Sequence, residues 1–336
     1  LVVFVSALLW FLCSRRLGAT ALLLGVAGAL TIGFAAPTYA FLLIWLFVYS
    51  LGEHVFMPLS STIGMELARE GQTGRRLGQL NAVRNFAAIV GSFTVVLGFR
   101  YLHFSFQFTF VLVAIALAAA AYLMFSMRPT RPQRPKSFFT LHREYNLFYV
   151  LNILSGSRKQ IFITFAPWVL VTIFEQPTQI IATLMMVGGI IGIVFQPLLG
   201  WAIDRFGERT VLAAEAVILI PVCFGYGFSR SLFAENIAFV IVCACFLLDQ
   251  MLMSVGMARS TYMKKIALQP DDVQPALTMA VSIDHVFSIT SALVGGLIWS
   301  AFGFQYVFLM GAVIAVVNLM AALQVSIPVR PAGQIA

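Results

Sequence analysis

Five ionisable side chains stand inside long apolar stretches of this 336-residue chain: Glu53, Arg158, Lys159, Asp249 and Asp284, with His54 and His285 beside two of them. An ionised group at a bilayer centre costs ~2.5–3.5 kcal/mol on insertion scales, so each must face the protein interior or a wet cavity and pair where it can. The chemistry open to such groups is non-covalent: Arg and Lys hold carboxylates or phosphates, acids carry protons, and imidazoles shuttle them. Arg158 and Lys159 are adjacent, so on a helix they point ~100° apart and only one faces squarely into a cavity. Arg158 is expected there, because its planar fork suits a carboxylate or phosphate, and Lys159 is expected to pair with Asp284 or Asp249. The surrounding Ser155-Gly156-Ser157-Arg158-Lys159-Gln160 is the most polar stretch within any apolar segment. Three acids stand against two bases, and a carboxyl buried without a partner favours its protonated form, as a proton carrier requires.

A second cluster lies in a short loop: Gly200-Trp-Ala-Ile-Asp204-Arg205-Phe-Gly207-Glu-Arg209. Gly200 lets one helix end close against a neighbour, and Gly207 permits a tight turn. Asp204 sits just before the next helix, where a carboxylate complements exposed backbone N–H groups. Arg205 and Arg209 favour the cytoplasmic side.

These groups must be held by membrane helices. Sixty per cent of the residues are hydrophobic and 10% are charged, and the mean hydropathy is +0.94. That composition excludes a soluble globular domain. With about 20 apolar residues needed per crossing, spans are expected near 1–14, 19–35, 39–66, 79–100, 104–127, 146–173, 178–201, 210–229, 236–258, 275–301 and 304–326. The first is too short to cross. The chain starts at Leu1 rather than Met and residues 1–14 lack the features of a signal peptide, so the reading is an incomplete N-terminus. With the Gly200–Arg209 loop inside, seventeen Lys and Arg fall on inner loops and only Arg100 and Arg230 outside, a strong positive-inside bias. The net charge of +8 is thus a topology signal, and dispersed basic residues argue against nucleic-acid binding.

Residues 128–145, with three X-Pro steps, read as a cytoplasmic linker. It separates an N-terminal bundle, 1–127, from a C-terminal bundle, 146–326, with residues 327–336 as a cytoplasmic tail. The halves echo each other: Leu51–Met57, containing Glu53, aligns with Leu247–Met253, containing Asp249, each acid about thirteen residues and roughly 20 Å into its span. Cys13, Cys223, Cys243 and Cys245 lie in or beside apolar segments with no metal or disulfide spacing. No phosphate-binding loop and no H-E-x-x-H or nucleophile–base pair points to an enzyme, and no cofactor is expected.

The pattern G-x-x-x-D-R-x-G-x-R at Gly200–Arg209 resembles the signature loop of the major facilitator superfamily of secondary transporters. The resemblance implies an all-α polytopic fold of two six-helix bundles, here with the first span and part of the second missing and about eleven visible. The frame Cys13–Gly18 echoes the loop, but Arg15 replaces its acid, and Glu208 stands where the family usually has a base. The family's first, fourth, seventh and tenth spans line a central cavity. This implies a substrate site of Arg158, Lys159, Gln160, Glu53, His54, Asp249 and Gln250. Proton-coupling candidates are Glu53, Asp249, Asp284 and His285, and the gating loop is Gly200, Asp204, Arg205, Gly207 and Arg209. The implied function is secondary active transport of a small solute by alternating access, coupled to protons, with the Arg-Lys pair favouring an organic anion. Efflux of amphiphilic drugs or lipids and a non-transporting receptor or scaffold stand beside it. The protein is expected to act as a monomer in the lipid bilayer of a bacterial inner membrane.

Overall fold

A computed structural model describes residues 14–34, 38–127 and 142–327; the first expected span, most of the linker and the C-terminal tail lie outside them. The described residues form eleven α-helices and two 3-10 turns, with no strand. In chain order the helices are α1 Ser14–Phe34, α2 Tyr39–Glu66, α3 Thr73–Tyr101, α4 Phe106–Ser126, α5 Asn146–Thr172 and α6 Thr178–Phe206. They continue as α7 Glu208–Leu232, α8 Glu235–Met253, α9 Gly256–Ile266, α10 Val273–Phe302 and α11 Phe304–Ala322.

The boundaries follow local chemistry. Thr38 starts α2 by accepting a hydrogen bond from the Phe41 amide, and Ser105 does the same for α4 through Phe108. Gly207 and Gly303 separate α6 from α7 and α10 from α11 at φ of 81° and 103°, backbone that glycine adopts without a Cβ penalty. Among the described residues, eight segments are long and apolar enough to cross a membrane. Helix α5 is not among them, because the polar Ser155–Gln160 stretch interrupts its apolar run. The expected span at 236–258 is split: α8 ends at Met253 and α9 begins at Gly256.

The chain divides into two compact units. One comprises Leu1–Leu67, Ala87–Thr140 and Gln269–Ser282, the other Ala68–Phe86, Leu141–Leu268 and Ile283–Ala336. In the first unit, α1 packs on α2 and α4, with Leu17, Ala21, Val55 and Leu59 buried between α1 and α2. In the second, α5, α7, α8 and α11 enclose an apolar core that includes Phe162, Leu219, Val242 and Phe308. Tyr226 stacks on Phe308 at 4.8 Å, and Phe162 meets both rings edge-on. The buried charges project from helices that share this core.

Candidate functional site

In the second unit, Arg158 and Lys159 leave α5 in the different directions that adjacent helical positions dictate. Arg158 turns inward. Its Nη1 donates to Asp249 Oδ1 of α8 at 2.5 Å and its Nη2 to Glu215 Oε1 of α7 at 2.9 Å. The Arg158 side chain is 3% exposed and that of Glu215 1%, so both arms of the guanidinium are taken by buried carboxylates. Lys159 turns toward α10, where its Nζ donates to Asp284 Oδ2 at 2.6 Å. That pair is more open, with side-chain exposures of 36% and 19%. Asp284 is therefore the partner of Lys159 out of the two expected, and Lys159, not Arg158, is the more open cation. The small residue Gly156 makes this geometry possible: a Cβ there would overlap the Asp284 carboxylate, and Ser288 Oγ donates to the Gly156 carbonyl at 3.2 Å.

Two members of the network were not among the residues the sequence singled out. Glu215 accepts from Arg158, and its second oxygen lies 3.6 Å from Arg259 Nη1. Its signal was a lone acid in an apolar run, seven residues and two helical turns after Glu208. Arg259 sat one residue beyond the expected span and counted as a loop charge. With both included, Asp249, Glu215 and Asp284 of this unit each face a cation. The surplus acid that the sequence count requires is therefore absent among these three.

The remaining candidates lie as follows. Gln160 donates to Thr164 at 2.9 Å, and Gln250 packs where Gly188 leaves no room for a side chain. His285 is exposed beside Asp284. In the first unit, Glu53 is exposed, and His54 Nδ1 lies 2.7 Å from the Ser50 carbonyl. Glu53 and Asp249, aligned by sequence, thus stand in different surroundings.

The loop behaves differently from its sequence expectation. Asp204 does not serve the helix that follows it. Its Oδ1 accepts the Gly74 amide and its Oδ2 the Arg75 amide, each at 2.7 Å, so it caps α3, 130 residues away. The first N–H groups of a helix lack internal partners, and a carboxylate satisfies them while opposing the helix dipole. The acid at the start of α7 is Glu208, fully buried and 2.7 Å from Lys265 Nζ. Gly200 and Gly74 touch backbone to backbone, so a Cβ on either would overlap the other's carbonyl; the predicted close approach is met there, with α3 as the neighbour. Arg205 and Arg209 are exposed.

Asp204→Asn places an amide N–H₂ against one of two backbone donors. Loss of a cap of this kind costs ~0.5–2 kcal/mol, or roughly 2–30-fold in an equilibrium constant. Turnover in proteoliposomes is expected to fall by a factor in that range with substrate affinity little changed. Parental turnover would reduce the loop to a topology marker.

Comparison with known proteins agrees with this architecture. A profile of the Major Facilitator Superfamily matches residues 2–269 and 148–335. Comparison with curated protein sequences gives no match. Among solved structures, the E. coli fucose:proton symporter FucP aligns with a TM-score of 0.76 at 16% identity, over 97% of this chain and 87% of that one. A bacterial homologue of the iron transporter ferroportin, in an outward-facing state, aligns at 0.67 and 12% identity, over 96% and 88%. The human organic anion transporter MFSD10 aligns at 0.66 and 13%, over 96% and 82%. All-helical architecture, membrane-length apolar helices and a family match across the sequence make this an integral membrane protein of a transporter family rather than an enzyme: the chain belongs to the Major Facilitator Superfamily.

Proposed function

We propose that the protein is a secondary active transporter that moves a small solute with an anionic group by alternating access, coupled to protons. The observation that carries this reading is the Lys159–Asp284 pair, the partly open ion pair at the most polar point of any expected span. An anionic solute competes with Asp284 for Lys159, and the displaced carboxylate then takes a proton. Binding of solute and proton become linked because each removes the other's competitor. Gln160 and Gln250 supply neutral hydrogen-bonding groups, and Arg158, already held by two carboxylates, fixes helices around the site. Glu53, His54 and His285 stand as further proton-handling candidates.

The direct test is a thermal-shift screen of the purified protein against small carboxylates and phosphate esters, with uncharged amphiphiles as the contrast. Stabilisation by anions in the parent and its loss in Lys159→Gln is the expected result. Stabilisation only by amphiphiles would favour efflux of such compounds.

We further infer eleven visible spans, with α3 and α5 crossing despite their charges, in a bacterial inner membrane with the linker inside and the protein acting as a monomer. Single Cys probes at Gln133 and Ser231, in a variant without native Cys, are expected to label from opposite sides. Labelling of both from one side would overturn that topology.

A further inference from the structure

Helix α9 is short, 11 residues, and its three cations hold three separate points. Arg259 faces Glu215 of α7 at 3.6 Å, Lys265 faces Glu208 of α7 at 2.7 Å, and Lys264 Nζ donates to Thr73 Oγ1, at the start of α3, at 3.3 Å. Between α8 and α9 the backbone leaves the α-helical pattern. The amides of Ser254 and Val255 bond to Met251 and Leu252, and those of Met257 and Ala258 to Ser254 and Val255, all three residues back. Such a stretch marks a hinge within an otherwise helical span.

Glu215 spans that hinge. Through Oε1 it holds Arg158, whose other arm holds Asp249 on α8; through Oε2 it faces Arg259 on α9. The two contacts are unequal, 2.9 Å against 3.6 Å. If Asp249 leaves Arg158, the freed guanidinium can take both Glu215 oxygens in a bidentate pair, the stronger geometry. Arg259, the more distant partner, then loses its carboxylate. A buried cation without a partner is unstable in place, and the hinge at Ser254–Val255 lets α9 answer by moving. Its C-terminal lysines hold the starts of α3 and α7, beside the α3 amides that Asp204 caps.

We propose that Glu215 and Arg259 are positioning residues for transport: they convert a change at the Arg158–Asp249 pair into movement of α9 and release of the Asp204 cap on α3. This rests on the membership of a transporter family and does not depend on which solute is carried.

The test reads the cap without transport. Ile203 is fully buried beside Gly74, so Ile203→Cys, in a background with the four native Cys replaced, reacts with an impermeant maleimide only when α3 parts from the end of α6. Glu215→Gln is expected to raise its labelling rate at least about fivefold, the lower end of typical site-to-site coupling. Asp249→Asn is expected to act the same way, and the double variant no further than either single. Ala238→Cys, fully buried near the start of α8, is the control: its rate should not change, whereas general loosening would raise both. Where Glu215→Gln does not fold, Arg259→Gln serves in its place. The proposal is overturned if Glu215→Gln leaves Ile203→Cys at its parental rate, if the two probes accelerate together, or if the effects of Glu215→Gln and Asp249→Asn multiply. Failure to transport any anion would count against the proposed solute class and leave this result standing.

Discussion

Arg158→Ala is expected to cost the second unit its folded state, an effect larger than any loss of ligand affinity. The substitution leaves Asp249 and Glu215 facing each other across the space of a lost guanidinium, both almost fully buried. Removing one partner of a single buried ion pair costs ~3–5 kcal/mol, and here one cation serves two acids. Arg158→Lys keeps a charge but cannot reach both carboxylates in a fork, so an intermediate loss is expected. The double substitution Arg158→Met, Asp249→Asn removes both charges of the shorter contact and leaves Glu215 facing Arg259, and is expected to unfold at a higher temperature than Arg158→Ala alone. Thermal unfolding in detergent, with monodispersity as the check, measures all three. An Arg158→Ala protein that unfolds at the parental temperature would mean that these contacts do not hold the bundle.

Lys159 and Asp284 should behave in the opposite way, because their pair is partly open and α5 and α10 meet around it without a second buried carboxylate. Lys159→Gln is expected to fold and to lose affinity for an anionic solute. A hydrogen bond to a charged group is worth ~1.5–3 kcal/mol, which is roughly 10–150-fold in Kd. Asp284→Asn removes the competitor for Lys159 and the proton acceptor together. It should therefore bind the anion at least as well as the parent and exchange it across the membrane, but fail to concentrate it under a pH gradient. The contrast between exchange and accumulation separates lost coupling from misfolding, since an unfolded protein loses both. Full accumulation by Asp284→Asn would assign proton coupling elsewhere, with Glu53 the next residue to test.

The two sets of charges differ for a reason visible in the packing. Arg158 points into the space between α5, α7 and α8, where two acids converge and water is excluded. Lys159, one residue on, points toward α10, where Gly156 admits the Asp284 carboxylate and the pair stays partly open. A change of ~100° in direction along one helix thus divides a structural cation from one suited to binding.

The positions of the helices were legible in the sequence, because hydropathy over about 20 residues is a local property set by the bilayer. The expected spans at 39–66 and 146–173 agree with α2 and α5 to within a residue, and Gly207 marked the turn that its positive φ requires. The family loop was also legible, since a tight turn and a close helix approach each demand particular residue types. The choice of Asp284 or Asp249 for Lys159 could be narrowed but not made, because adjacent residues fix relative direction and not the identity of the neighbouring helix. The tertiary structure decided the partnerships. Arg158 meets Glu215 57 residues away and Asp249 91 residues away, and Asp204 caps a helix 130 residues before it. Ion pairs and caps over such separations depend on which helix faces close together, and that is set by packing of the whole bundle rather than by any local pattern. For the same reason Glu215 read as one acid in an apolar run and Arg259 as one more loop charge, until folding brought both to the same guanidinium network.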